Sequence, residues 1–67
     1  MKIIFNDEEK ELADRAMLRD LLNEIGLFEL SGWAIAVNEE VVPSEKVDHC
    51  KLSENDNIIL IQATQGG

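Results

Sequence analysis

The sequence ends in Gly66-Gly67, and the carboxylate of Gly67 is the group best suited to chemistry in this chain. A terminal carboxylate with an ordinary pKa of about 3.5 is an anion at neutral pH, so it must be activated before a nucleophile can attack it. Two residues without side chains leave this carboxylate on a thin, flexible tether. Frayed or engineered ends also carry Gly-Gly. The two glycines alone therefore leave open whether this end is a reactive group or an end without function.

The neighbouring residues His49 and Cys50 are the other candidates for chemistry, as metal ligands or as a reactive thiol. A zinc site needs about four ligands, and a nucleophilic cysteine needs a partner base. The sequence holds one histidine and one cysteine. We therefore predict no metal site, no catalytic residue and no internal disulfide.

Length and charge narrow the function classes. Sixty-seven residues predict a single domain, residues 1–67. Six basic against fourteen acidic residues give a net charge of −8, which disfavours nucleic acid and favours a partner with a basic surface. One cysteine and no signal sequence favour a reducing compartment, so we expect a cytoplasmic protein. No apolar run approaches the roughly 20 residues of a membrane helix, so we expect no membrane binding.

A strand must position the Gly-Gly end. The continuous apolar run from Ile58 to Ile61 predicts a strand, Asn57–Gln62, in the middle of a sheet. Small and polar residues follow, so residues 63–67 are predicted to form a flexible tail. About five residues at roughly 3.3 Å each let the carboxylate reach on the order of 15 Å beyond the sheet.

The remaining elements predict an α+β domain in which one main helix lies across a mixed sheet of about five strands. This is the ubiquitin-like β-grasp arrangement. In order, we predict strand Lys2–Phe5, strand Lys10–Ala13, helix Asp14–Ile25, strand Trp33–Asn38, a strand beginning at Val41-Val42, a helical turn Ser44–Asp48 and strand Asn57–Gln62.

The helix, the loop that follows it and Trp33 carry more specific predictions. Asp14 is predicted to cap the helix and Gly26 to end it, with Leu18, Leu21, Leu22 and both flanking residues Met17 and Ile25 forming its apolar stripe. Leu27, Phe28 and Leu30 are predicted to pack under the helix end. The alternation around Trp33 favours at least partial burial of its ring.

Several segments together resemble the ThiS family of sulfur carrier proteins. The segment Ile35-Ala36-Val37-Asn38-Glu39-Glu40-Val41-Val42-Pro43, the start Ile4-Phe5-Asn6 and the terminal Gly-Gly carry the resemblance, which covers essentially the whole chain. The chain departs from the family pattern in three places. Ser44 stands where the family often has arginine, and Asn55 stands where it often has glycine. Near the helix start the family often has a glycine and a Thr or Ser, where this chain has Arg15, Ala16 and Met17. These departures leave open which enzymes recognise the chain.

The resemblance implies a carrier and substrate rather than an enzyme. It implies that a ThiF-type adenylating enzyme uses ATP to form an acyl-adenylate on Gly67, while the chain itself holds no cofactor tightly. A sulfur donor protein then converts the adenylate to a thiocarboxylate, which gives its sulfur to a ThiG-type thiazole synthase in thiamine biosynthesis. Gly66, Gln65 and Thr64 would thread the channel of the activating enzyme.

Two alternatives stay open. One is a related carrier of the kind that forms the small subunit of molybdopterin synthase, and the other is an interaction module whose tail has no chemistry. In each case we expect partners to dock on the sheet face that the helix leaves uncovered. The sequence does not decide whether Ile59 or Leu60 lies on that face.

Overall fold

The computed structural model describes residues 1–62 and contains one mixed sheet in that part of the chain. The strand order is β2-β1-β5-β3-β4, with β5 in the centre. The elements are β1 (Lys2–Phe5), β2 (Glu8–Glu11), α1 (Leu18–Glu24), β3 (Trp33–Val37), β4 (Glu40–Val41), a 3₁₀ helix (Ser44–His49) and β5 (Asn57–Gln62).

The sheet consists of two hairpins with the strand β5 between them. β1 pairs with β2 and β3 pairs with β4 in antiparallel hairpins, and β5 lies between them, parallel to β1 and antiparallel to β3. A parallel pair needs a crossover connection, which here includes α1. The predicted α+β architecture of five strands and one main helix is therefore confirmed for residues 1–62.

Both hairpins turn within two residues, which corrects two predicted strands. The turns are Asn6–Asp7, with φ of 48° and 70°, and Asn38–Glu39, with φ of 52° and 72°. Two-residue hairpin turns require such left-handed backbone, and asparagine tolerates it. Because the first turn is this short, the second strand is Glu8–Glu11 rather than Lys10–Ala13. For the same reason the return strand of the second hairpin begins at Glu40.

The helix begins four residues later than predicted, so Asp14 does not cap it. The backbone before α1 is bonded to the loop preceding β5: Leu52 N–H donates to the Ala16 carbonyl at 3.1 Å, and Leu18 N–H donates to the Cys50 carbonyl at 2.8 Å. These bonds hold the segment extended, and Arg15 takes a left-handed φ of 69°. The helix start is instead stabilised by Asp20, whose Oδ2 accepts the Met17 N–H at 2.8 Å.

The core lies between α1 and one face of the sheet. Leu18, Leu21 and Leu22 of α1 are fully buried, which confirms the centre of the predicted stripe. The core residues are Ile3, Leu12, Ala16, Leu18, Leu21, Leu22, Ile35, Val47, Leu52 and Ile58. Trp33 is half-buried, as expected.

The end of the helix differs from the prediction. Gly26 ends α1 with a φ of 82°, as predicted. Ile25 lies past the last helical turn and is 38% exposed, and Phe28 is 70% exposed instead of packing under the helix end. Leu27 and Leu30 are half-buried and supply the apolar contacts there.

Candidate functional site

The predicted reactive end lies outside the described residues. Thr64, Gln65, Gly66 and Gly67 all fall in 63–67, so the predicted tail and its contacts remain predictions. The structure does describe the strand that leads into them. β5 is the central strand, and it is the last element before residue 63.

The register of β5 separates its apolar run into two faces. Ile58 pairs with Val37 and Leu60 pairs with Ile35, and these four residues face the core. Ile59 and Ile61 therefore point to the opposite face, because successive side chains alternate. Ile61 is 58% exposed whereas Ile58 is fully buried. The apolar run of β5 is therefore not buried on both faces. Of Ile59 and Leu60, Ile59 is the residue that lies on the sheet face left uncovered by α1.

An apolar patch covers the sheet face opposite α1. The neighbours of Ile59 and Ile61 on this face are the small residues Ala36 and Ala34, and Val41 lies opposite Ala36 with 73% of its surface exposed. We call this surface the open-face patch; its residues are Ile4, Ala34, Ala36, Val41, Ile59 and Ile61. Exposed apolar residues that adjoin one another typically mark a binding surface. The patch borders the last described residues of β5.

Acidic residues border the open-face patch. Glu9 lies opposite Ile4 and Glu11 lies opposite Lys2, so both carboxylates are on the open face of β2. Lys2 Nζ approaches Glu9 Oε2 at 3.7 Å, and the Met1 amino group approaches Glu11 Oε2 at 2.7 Å, so each carboxylate has a cationic neighbour within the chain. The preference for a partner with a basic surface therefore comes from the net charge of −8 and not from this edge alone.

Two asparagine side chains bind the backbone of β5, and the sequence analysis did not assign them this role. Asn6 contacts Leu60 through two hydrogen bonds, and Asn38 contacts Asn57. Both asparagines occupy the first position of a two-residue turn. An asparagine followed by an acidic residue, between two strands, was the available signal for the turn but not for its contact with a distant strand.

The surroundings of Cys50 do not activate its thiol. Burial, followed by the negative charge of Asp56, raises the pKa of the Cys50 thiol, which keeps it protonated and weakly nucleophilic. Within residues 1–62, no group of three or more His, Cys, Asp or Glu side chains is placed to hold a metal ion. The same residues include no helix long and apolar enough to cross a membrane.

Comparison with known proteins gives consistent matches over the full length. The model of the ThiS family matches residues 3–67. Sulfur carrier protein ThiS from Escherichia coli (strain K12) is 31% identical over 67 residues, and the alignment covers 100% of each chain. The crystal structure of the thiamine biosynthesis protein ThiS from Geobacter metallireducens superposes with a TM-score of 0.86 at 19% identity, covering 100% of both chains.

A solution structure of a thiamine biosynthesis protein from Geobacter metallireducens also matches. Its TM-score is 0.77 at 19% identity, and the match covers 100% of this chain and 88% of the other. At this identity the two structures support the fold alone, which is the β-grasp described above.

Proposed function

The chain belongs to the ThiS family of sulfur carrier proteins, which are not enzymes, and from this premise we propose that Gly67 carries sulfur as a thiocarboxylate. The sulfur is destined for thiazole formation in thiamine biosynthesis. The observation that carries this proposal is the family match over residues 3–67, because it includes Gly66 and Gly67.

The proposed chemistry has two steps at the Gly67 carbonyl carbon. The carboxylate oxygen attacks the α-phosphorus of ATP, forming an acyl-adenylate and releasing pyrophosphate. A thiol reduces a persulfide on the donor protein, which leaves a disulfide and releases hydrosulfide (HS⁻). The hydrosulfide attacks the carbonyl carbon; the C–S bond forms, the C–O bond to AMP breaks, a proton is lost to solvent, and the thiocarboxylate remains. Adenylation is required because the carboxylate anion is itself a poor electrophile. The catalytic groups for both steps belong to the partners, and ATP is bound by the adenylating enzyme.

The open-face patch is the proposed docking surface for the ThiF-type adenylating enzyme. It lies on the face of β5 that leads toward residues 63–67, so a partner bound there can receive Thr64, Gln65, Gly66 and Gly67 in a channel. The net charge of −8 supports a basic counterpart on the enzyme. A ThiG-type thiazole synthase, the acceptor of the sulfur, would use the same end of the chain later. Use of ATP by the partner is consistent with a cytoplasmic location.

The proposal is tested by measuring the intact mass of the protein after incubation with ATP, a sulfur donor and a ThiF-type enzyme. We expect a gain equal to the exchange of one oxygen for sulfur, located at Gly67 and absent without ATP. A variant lacking Gly66 and Gly67 is the matched control. No gain with several adenylating enzymes that modify their own carriers would refute the proposal. Sulfur transfer together with the large subunit of a molybdopterin synthase, but not with a thiazole synthase, would place the chain in the other pathway.

A further inference from the structure

We propose that Asn6 is a positioning residue that fixes the direction in which β5 leads into residues 63–67. This inference rests on the proposed function, because the direction matters only if the end of the chain is delivered to a partner. It is carried by the contact between the Asn6 side chain and the backbone of Leu60.

The contact extends the parallel β1–β5 ladder beyond the end of β1. The ladder includes Ile4 N–H donating to the Asp56 carbonyl and Asn6 N–H donating to the Ile58 carbonyl, each at 2.9 Å. The Asn6 side chain then supplies the next step: Oδ1 accepts the Leu60 N–H at 2.9 Å, and Nδ2 donates to the Leu60 carbonyl at 3.3 Å. A side-chain amide thus pairs with Leu60 as a neighbouring strand residue would.

The contact between Asn6 and Leu60 lies where β5 loses its neighbour β1 and keeps only β3 beside it. The backbone groups of Asp56, Ile58 and Leu60 face β1, whereas Asn57 bonds to the opposite neighbour. β1 turns away at Asn6, while β3 continues alongside β5 as far as the pair of Trp33 with Gln62. Without the Asn6 side chain, the end of β5 would be held along one edge only, and it could pivot about β3.

The start of β5 has a matched contact, which provides an internal control. Asn38 also lies first in a two-residue turn, with φ of 52° against 48° for Asn6. Its Oδ1 accepts the Asn57 N–H at 2.9 Å, and its Nδ2 donates to Asp56 Oδ1 at 2.8 Å. Each asparagine accepts a backbone N–H of β5 through its Oδ1, but Asn38 acts at the end remote from Gln62 and its Nδ2 donates to a carboxylate instead of a backbone carbonyl.

The experiment compares Asn6→Gly with Asn38→Gly. Glycine accepts the left-handed backbone, so each variant removes the side-chain contact without adding strain. Adenylation by a ThiF-type enzyme gives kcat and KM, and amide hydrogen exchange followed by NMR reports on the Leu60 N–H.

For Asn6→Gly we expect exchange at Leu60 to accelerate about tenfold or more, because the amide loses its acceptor. We expect kcat to fall about tenfold, since small misplacement of a reacting group lowers rates steeply. KM should change by less than about twofold, because the open-face patch is intact. Asn38→Gly should lower thermal stability comparably and leave kcat within about twofold. Asn6→Asp, which keeps the acceptor for Leu60 N–H, should recover part of the rate.

Equal kcat losses in the two glycine variants, or unchanged exchange at Leu60 in Asn6→Gly, would overturn the inference. Failure of the proposed function would give a different result, in which the wild-type chain itself is not adenylated. In that case the exchange rates at Leu60 and Asn57 still decide whether Asn6 holds the end of β5.

Discussion

Ile58 and Ile61 lie three residues apart in the same apolar run but on opposite faces of β5, so their replacement by alanine should differ in its effect on stability and on binding. Ile58 is fully buried between β5 and α1, so removing its side chain leaves a cavity that costs about 3 kcal/mol. Ile61 is 58% exposed, so only the smaller covered part of its side chain contributes, at about 1 kcal/mol. The loss at Ile58 is a large fraction of the total stability, because a domain of 67 residues has about 3–10 kcal/mol.

Urea unfolding followed by the fluorescence of Trp33 measures both losses, because Trp33 is the only tryptophan and pairs with Gln62 in the sheet. With an m-value of about 1 kcal/mol per molar urea, the midpoint should fall by about 3 M for Ile58→Ala and by about 1 M for Ile61→Ala.

Binding should show the reverse order. Ile61 is 58% exposed and lies at the end of the proposed docking surface that borders residue 63, so Ile61→Ala should raise KM for the ThiF-type enzyme about tenfold with little change in kcat. Ile58→Ala, assayed at a temperature where it is folded, should leave KM nearly unchanged. Equal shifts of the urea midpoint would refute the assignment of the two faces. An unaltered KM for Ile61→Ala would refute the docking surface while leaving the fold assignment intact.

Two further predictions concern the tail and the thiol. Gly66→Val should abolish adenylation in the pyrophosphate-exchange assay while leaving the urea midpoint unchanged, because a branched side chain cannot follow a narrow channel; modification at the normal rate would contradict this. Iodoacetamide should alkylate Cys50 more slowly in the folded chain than in urea at pH 8, because burial raises the pKa of the thiol. The raised folded-state pKa also means that stability falls as the pH rises from the unfolded to the folded pKa of the thiol, and Cys50→Ala should remove this fall.

Much of the architecture was accessible from local sequence patterns. The bounds of β1 and β5 were predicted as observed, and the glycine that ends the helix was identified. These features depend on nearest neighbours: alternation or continuity of apolar residues, and the left-handed backbone that Gly26 accepts. The family resemblance was likewise carried by short segments and by the terminal glycines.

The start of the helix shows where local patterns failed. Residues 14–17 have a composition that permits a helix, but the loop before β5 forms backbone hydrogen bonds with Ala16 and Leu18. These long-range bonds outweigh a weak local preference, since helix propensities differ by only tenths of a kcal/mol per residue. Local patterns also failed at Phe28, which is 70% exposed whereas its neighbours Leu27 and Leu30 pack against the core.

The sequence by itself determined that a central strand leads into a Gly-Gly end, because an apolar run followed by small residues is a local property of the chain. Only the tertiary structure decided which side of that strand a partner can reach. Four consecutive apolar residues are ambiguous in this respect, since the face that becomes the core is selected by the packing of α1 and by the register with β3. It also brought Asn6 to Leu60 and Asn38 to Asn57, because contacts across 54 and 19 residues arise only when the two hairpins enclose β5.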